Sequence, residues 1–263
     1  VEYLHGAHGA ETMAVVSFPG DYGQDGAAGA KYAAAELGIE VVYDGEAAVV
    51  PGADQTPVIT ELVNAQPDIV WATLNPTTFA EIFGASYAQG LRAQWSGNSP
   101  TYNYQLLATE LAGPLDELYT HSTYTQLWGV AGEGMDEMIA GMRDKRPDAP
   151  LSDVYIVSWT EGMATKAVLD KAAELGDMTR AGVVAAFQET EVDFKGLAPR
   201  QVWFGEPNDF IVRESYLYDV VAANFTPGAT VSDEGGTGFE LLEGPYVGDV
   251  AANWDYEPCF LPG

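Results

Sequence analysis

The chain has 263 residues, of which 47% are hydrophobic and 19% charged, enough for one large or two modest globular domains with a core. Its 39 acidic residues against 11 basic ones give a formal charge of −28 at pH 7, a field that repels phosphate backbones and anionic membranes and argues against a nucleic-acid partner. Solubility or a salty habitat explains this acidity more simply than a cationic ligand does.

No apolar run approaches the roughly 20 residues that a membrane span requires, and no charged-then-apolar leader opens the chain. We therefore expect a protein that is not inserted in a membrane and whose export signal has been removed. The one cysteine, Cys259, lies in a C-terminal segment of loop character. It is either a free thiol or half of a bridge to an absent partner.

The first hundred residues alternate between strand and helix patterns. The apolar run Met13–Phe18 predicts a strand, which a glycine-rich turn joins to a helix over Ala27–Leu37. Gly38 ends this helix, and Ile39–Tyr43 predicts a second strand. Together they make a βαβ unit, the element from which parallel sheets are built.

The same alternation then repeats. Helices are predicted over 55–65 and 77–89, and strands over 68–72 and 93–96. Strands that alternate with helices at this spacing indicate an α/β fold with a doubly wound parallel sheet.

The rest of the chain is richer in helix. After an extended stretch over 119–124, a glycine-rich segment follows, where we place a domain boundary. The predicted domains are 1–122, 123–225 and a loop-rich tail over 226–263. The later patterns predict helices and strands in this order: helices 135–146, 154–175 and 179–189, the last with Thr179 as N-cap, then strands 201–204 and 211–221.

The first turn raises the possibility of a dinucleotide site, because several glycines follow the first strand and Asp44 closes the second. The spacing does not fit. The bulky, acidic pair Asp21 and Tyr22 occupies the turn where the backbone would have to approach a pyrophosphate. We expect no cofactor, and a nucleotide-dependent α/β enzyme is kept only as a less favoured alternative.

Metal and catalytic motifs are also missing from the sequence. Of the three histidines only His5 and His8 are close together, three residues apart on a predicted helix, and no cysteine cluster accompanies them. No Gly-x-Ser-x-Gly segment offers a serine nucleophile. We expect no metal site, no catalytic residue and no enzymatic activity.

Polar and aromatic residues follow the carboxyl ends of successive predicted strands. They are Asp21 and Tyr22, then Asn75, Pro76, Thr77 and Thr78, then Asn98, Ser99, Thr101 and Tyr102. In an open parallel sheet this edge forms the ligand crevice, where a small polar organic molecule would be held by a few hydrogen bonds. The same residue types are common in ordinary turns, and spacing alone does not choose between the two interpretations.

A family resemblance favours the first interpretation. The segment 15–26 and the strand 38–42 resemble the opening of the second lobe in periplasmic leucine-isoleucine-valine binding proteins. Later segments are similar too, so that the resemblance covers roughly 2–219 as many moderate matches: 55–68, 88–91, 94–97, 154–176 and 177–180.

The resemblance implies the type I periplasmic-binding-protein fold, in which two α/β lobes enclose a ligand by hinge closure. Residues 1–122 would correspond to the family's second lobe and 123–225 to the later part of its first. It also implies an extracytoplasmic, monomeric component of an ABC transporter. This component would capture a small organic solute, amino-acid-like, an amide or an aromatic acid, in a cleft between the lobes and deliver it to membrane permease subunits. The alternative is a ligand-sensing receptor ectodomain of the same fold.

The resemblance also suggests which residues contact the ligand. Tyr22 would do so from the first turn, with Asp21 beside it, and Asn75 and Thr77 from the second loop. Ser99 stands where amino-acid-binding members place a glutamate that pairs with the ligand's ammonium. Because burying an unpaired ammonium would cost several kcal/mol, an amide or aromatic acid is favoured over a free amino acid.

Two aromatic residues complete the predicted site. Tyr102 and Tyr124 would stack on a ring or cover an apolar body. A further departure from the family is that nothing before Val1 supplies the βαβ units with which its first lobe opens, so we hypothesise that the chain is a fragment. Cys259 would then have lost its disulfide partner with the missing part.

Overall fold

The computed structural model describes residues 1–256, which divide into two compact units. The first unit consists of Val1–Thr123, Leu217–Pro227 and Gly238–Glu243. The second consists of Tyr124–Tyr216, Gly228–Thr237 and the chain from Gly244 onward. Each unit is therefore assembled from segments that are distant in sequence. Cys259 and its predicted loop lie outside the described residues.

Helices and strands alternate along the first unit, as the sequence predicts. Up to Thr123 its elements are α1 (Glu2–His8), β1 (Thr12–Ser17), α2 (Asp21–Leu37), β2 (Glu40–Gly45), α3 (Thr56–Ala65), β3 (Ile69–Thr73), α4 (Pro76–Ala88), β4 (Gln94–Gly97), α5 (Ala112–Leu118) and β5 (Thr120–Thr123). Two 3₁₀ turns, Ser99–Thr101 and Tyr104–Ala108, lie between β4 and α5.

Strands β1 to β4 form one parallel sheet in the order β2-β1-β3-β4. In its register, Val15 of β1 lies between Asp44 of β2 and Trp71 of β3, and Trp71 pairs in turn with Ser96 of β4. The parallel α/β fold predicted from the sequence is confirmed.

Helices cover both faces of this sheet. Met13 and Val15 of β1 pack in a cluster with residues of α1 and α2, whereas Ala14 and Val16 pack in another with residues of α3 and α4. Because successive side chains of a strand point to opposite faces, the two clusters lie on opposite sides of the sheet. This two-sided covering explains why β1 is buried along almost its whole length.

The predicted start of the first long helix at Ala27 is wrong, since α2 begins at Asp21 and includes most of the glycine-rich turn. A Cβ at Gly23 would lie 1.9 Å from the carbonyl oxygen of Phe18. The glycine is needed for close packing rather than for a flexible loop. Low helix propensity therefore gave a misleading signal here.

The second unit begins with helices and continues with short strands. Its elements, with the two strands that it shares with the first unit, are α6 (Glu133–Lys145), α7 (Val154–Glu174), α8 (Arg180–Phe187), β6 (Glu191–Val192), β7 (Gln201–Val202), α9 (Pro207–Phe210), β8 (Ser215–Phe225), β9 (Thr237–Tyr246) and α10 (Asp249–Asn253). The three predicted helices are confirmed, and the Thr179 side chain caps α8 by accepting from the Gly182 amide.

The second unit has a hydrophobic core of its own. Met138, Ile156 and Val231 are fully buried there, together with Leu197 and Phe194. α6 and α7 each contribute an apolar face to this cluster. Burial of this kind stabilises helices whose own propensity is modest.

The prediction of a loop after Thr226 is wrong, because β9 and α10 lie in that segment. β9 joins β5 and β8 in a three-stranded sheet of order β5-β8-β9. Its sequence contains Gly238, Gly244 and Pro245, which usually end strands, and it lacks a clean alternation of apolar residues. The predicted strand over 211–221 begins later, at Ser215. Within residues 1–256, no helix is both long and apolar enough to cross a membrane.

Candidate ligand-binding site

The carboxyl ends of β1, β3 and β4 lie along one edge of the parallel sheet, because the three strands are neighbours and run in the same direction. From this edge the chain continues into the first turn of α2, the first turn of α4 and the 3₁₀ turn Ser99–Thr101. The ligand crevice of an open α/β sheet lies at this edge. We call the side chains of these three connections the rim.

Tyr22, in the first turn of α2, bridges the other two connections. Its hydroxyl lies 2.9 Å from the carbonyl oxygen of Leu74, to which it donates, and 3.1 Å from Oδ1 of Asn98. Its side chain is nevertheless 44% exposed, so part of the ring faces solvent. Partial desolvation raises the pKa of the phenol above its ordinary value, and Tyr22 is therefore uncharged at neutral pH.

Thr101 links the ends of two strands beneath the exposed side chains of the rim. Its hydroxyl is buried and lies 2.7 Å from Oδ1 of Asn98 and 3.0 Å from the carbonyl oxygen of Ala72, and it accepts from the Leu74 amide at 3.1 Å. These contacts join the end of β3 to the end of β4. The side chain of Asn98 therefore accepts hydrogen bonds from the hydroxyls of Tyr22 and Thr101, and Asn98 is still partly exposed.

Asn75 and Thr77 occupy the start of α4. Asn75 is the N-cap, and its side-chain oxygen accepts from the Thr78 amide at 2.9 Å. This bond satisfies one of the free amides at the helix start and fixes the side chain. Both Asn75 and Thr77 are exposed, so their remaining polar atoms face solvent at the rim.

Ser99 extends the rim toward β5. Its hydroxyl lies 3.2 Å from that of Thr123, the last residue of β5. Sequence reasoning missed Thr123. It ends a short strand that the sequence predicts only as an extended stretch, and its position at the strand end was the available signal.

The remaining three predicted residues have different surroundings. Asp21 is exposed at the start of α2. Tyr102 is only 6% exposed and stacks on Tyr119 in the hydrophobic core, with ring centroids 5.0 Å apart. Tyr124 is half-exposed and belongs to the second unit, where desolvation, with a smaller contribution from the charge of Glu161, raises the pKa of its phenol. The structure thus brings Asp21, Tyr22, Asn75, Thr77 and Ser99 to one edge of the first unit.

The rim contains no cation of the first unit. The only lysine and arginine of that unit are Lys31 and Arg92. Lys31 forms ion pairs with Asp44 and Glu46. Arg92 precedes β4, at the opposite end of the sheet, where its guanidinium lies 3.8 Å from the centroid of the Tyr87 ring. Apart from Asp21, the rim is therefore built of neutral hydroxyl, amide and phenol groups.

The rim offers several hydrogen-bonding groups to a ligand. Among residues 1–256, no group of three or more histidine, cysteine, aspartate or glutamate side chains is placed to hold a metal ion. The hydroxyls of Tyr22 and Thr101 bond to the Asn98 side chain and to backbone carbonyls. Such a surface suits recognition of a small molecule through neutral hydrogen bonds.

The sequence model of a periplasmic binding protein family matches residues 1–224. The chain belongs to this family. Its members bind ligands and are not enzymes. A comparison with curated proteins gives no significant match.

Several solved structures share the fold. A fatty acid ABC transporter substrate-binding protein from Thermomonospora curvata is 22% identical, with a TM-score of 0.77 over 96% of this chain and 64% of that chain. A branched-chain amino acid ABC transporter protein from Thermus thermophilus with bound valine is 18% identical, with a TM-score of 0.70 over 95% and 64%. An extracellular ligand-binding receptor from Rhodopseudomonas palustris is 13% identical, with a TM-score of 0.64 over 92% and 66%.

This chain therefore spans slightly less than two thirds of the first two of these proteins. The fold comparison confirms the resemblance to ABC transporter substrate-binding proteins that was inferred from the sequence. It shows that this chain has their fold, and the ligand of this chain is a separate question.

Proposed function

We propose that this chain captures a small organic solute for an ABC transporter and that the rim of the first unit forms part of the solute site. The hydrogen-bond network around Tyr22, Asn98 and Thr101 supports this proposal. It fixes partly exposed polar groups at the sheet edge where α/β proteins bind ligands. In this assignment, residues 1–122 form the ligand-binding lobe and 123–225 the later part of the other lobe.

The solute turns a neutral polar part toward this rim. A carboxylate there would find no cation of the first unit, since Lys31 is paired and Arg92 lies at the other end of the sheet. An ammonium at Ser99 would have no carboxylate partner in that residue, and the one carboxylate of the rim, Asp21, is exposed. Burying either charge unpaired would cost several kcal/mol, so an amide, a hydroxyl or an aromatic ring is favoured.

The same proposal states where the protein acts and which subunits it contacts. It acts outside the cytoplasm as a monomer and hands its solute to the permease subunits of the transporter. A receptor ectodomain is the second candidate, favoured by the likeness to the extracellular ligand-binding receptor from Rhodopseudomonas palustris. The neighbourhood of the gene separates the two, since adjacent permease genes indicate transport and a fused signalling domain indicates a receptor.

A capture experiment tests the site. The protein is incubated with a defined mixture of small amides, amino acids, aromatic acids, amines and polyols, and the retained solute is identified by mass spectrometry. Tyr22→Phe removes the hydroxyl that holds Asn98 and Leu74 in place. We expect it to raise the Kd of the retained solute about tenfold, or about 1.4 kcal/mol, with little change in stability.

The matched control is Tyr43→Phe. Tyr43 lies on β2 in the same unit and forms no hydrogen bond through its phenol to a described residue. Its substitution should leave the Kd unchanged. Equal affinity of the parent and Tyr22→Phe would mean that the solute binds elsewhere.

A second variant tests the other end of the rim. Ser99→Ala removes the hydroxyl that contacts Thr123. We expect several-fold weaker binding by calorimetry and an unchanged melting temperature. Unaltered affinity in both Ser99→Ala and Tyr22→Phe would contradict the placement of the site.

A further inference from the structure

A row of polar side chains continues inward from the rim along β5. Tyr119, His121 and Thr123 alternate along an extended segment and therefore point to the same side of it. Thr123 contacts Ser99 of the rim at 3.2 Å. The rings of Tyr119 and His121 lie beneath Tyr102, with centroid distances of 5.0 and 5.4 Å.

Two atoms of this row are buried without a hydrogen-bond partner among the described residues, Oη of Tyr119 and Nδ1 of His121. The residues are only 2% and 4% exposed. Their neighbours are mainly aromatic, since Phe79 lies 5.1 Å from the Tyr119 ring and Phe239 lies 5.3 Å from the His121 ring. Buried polar atoms of native proteins almost always find a partner, either protein or ordered water.

Burial keeps both groups neutral. Desolvation raises the pKa of the Tyr119 phenol far above its ordinary value and lowers the pKa of His121 to about 3. A neutral phenol and a neutral imidazole each donate and accept hydrogen bonds. The partner that fits such a pair is small and neutral, and it both donates and accepts.

We propose that Tyr119 Oη and His121 Nδ1 bind one or two connected ordered water molecules behind the rim. The two rings are neighbours in this cluster, with centroids 6.3 Å apart and planes inclined by 28°. Buried waters of this kind make about three hydrogen bonds to groups that would otherwise be unsatisfied. The proposal does not depend on the solute site, because the water binds whether or not the rim is occupied.

The direct test is a crystal structure of this protein at about 1.5 Å resolution or better. We expect density for ordered water within hydrogen-bond distance of Tyr119 Oη and of His121 Nδ1, about 2.6 to 3.2 Å away. A dry, fully packed contact between the two rings and their aromatic neighbours would overturn the proposal.

A double-mutant cycle gives an independent answer. If water joins the two groups, Tyr119→Phe removes one hydrogen-bond partner of that water and weakens its bond to His121. The variant should then be less stable, with an unfolding equilibrium constant about fivefold higher or more. The double variant Tyr119→Phe/His121→Phe removes both of these polar groups, so its effect should be smaller than the sum of the single effects. If no water binds, Tyr119→Phe removes an unsatisfied hydroxyl and should stabilise the protein, which would contradict the proposal.

Discussion

His121 is a buried imidazole whose titration links the stability of the first unit to pH. Burial lowers its pKa from 6.5 to about 3. Below pH 6.5 His121 is protonated in the unfolded chain but stays neutral in the folded chain. The stability of the fold is therefore undiminished by His121 above pH 6.5 and falls as the pH decreases toward 3. The loss is about 1.4 kcal/mol for each pH unit in that window.

His121→Phe should remove this dependence while keeping an aromatic ring in the cluster. We expect the difference in unfolding free energy between pH 7 and pH 4.5 to be about 2 to 3 kcal/mol smaller in the variant than in the parent. Urea unfolding at the two pH values measures it. The same pH dependence in both proteins would show that His121 is protonated without penalty in the folded state.

Asp153 acts in the opposite direction in the second unit. Its carboxyl group is partly buried and accepts from the Trp128 amide at 2.7 Å and from the Thr237 hydroxyl at 3.1 Å. Desolvation outweighs these bonds and raises the pKa from 3.8 to about 6. The folded state therefore holds the proton more tightly, and the contribution present below pH 3.8 is lost as the pH rises through 6.

Asp153→Asn keeps an acceptor oxygen and cannot ionise. It should be more stable than the parent by up to about 3 kcal/mol at pH 7.5 and should lose this advantage below pH 4. Thermal unfolding at both pH values checks the sign. The control is Asp233→Asn, at an exposed carboxylate whose pKa is lowered by hydrogen bonds from Thr230, and it should not stabilise. An Asp153→Asn variant that is less stable at pH 7.5 would contradict the account.

At the scale of elements, α2 contains two glycines with opposite expected effects. A Cβ at Gly23 would lie 1.9 Å from the Phe18 carbonyl oxygen, whereas one at Gly29 would meet nothing within 4 Å. Gly23→Ala should destabilise the protein by at least about 2 kcal/mol because the helix must move away from the end of β1. Gly29→Ala should stabilise it by about 0.5 to 1 kcal/mol. Chemical unfolding of both variants tests the packing of α2, and stabilisation by Gly23→Ala would refute it.

The elements of the first unit were predictable because each strand is a short apolar run and each helix carries an apolar face. Two elements show where this signal fails. The first turn of α2 can pack against Phe18 because residue 23 is a glycine. This packing is a tertiary contact, which helix propensity does not take into account. β9 is stabilised by pairing with β8, a partner that comes from elsewhere in the chain, while its own glycines and proline argue against a strand.

The candidate site was predictable to the extent that it depends on strand ends. Tyr22, Asn75 and Ser99 follow buried strands, and parallel pairing brings them to one edge. The direction of a side chain depends on packing instead. Tyr102 comes directly after the turn that contains Ser99, yet Tyr102 is only 6% exposed and its ring stacks on Tyr119.

At the scale of the whole molecule, the charge of −28 gives a test of the solute class. A charged solute would feel this field, which is screened over about 14 Å at 0.05 M salt and about 3 Å at 1 M. A solute that is neutral at the rim should bind with an affinity that changes less than about twofold between these salt concentrations. Titration calorimetry with the retained solute measures this, and a change of tenfold or more would indicate a charged ligand.

We propose that the chain is a solute-binding protein with a neutral polar rim, and the first measurement is native mass spectrometry of the protein purified from its own organism. We predict one small organic solute for each protein molecule, released on unfolding, with an amide, hydroxyl or aromatic group to face the rim. A bound nucleotide, or a protein that carries no solute and retains none from the defined mixture, would contradict the account.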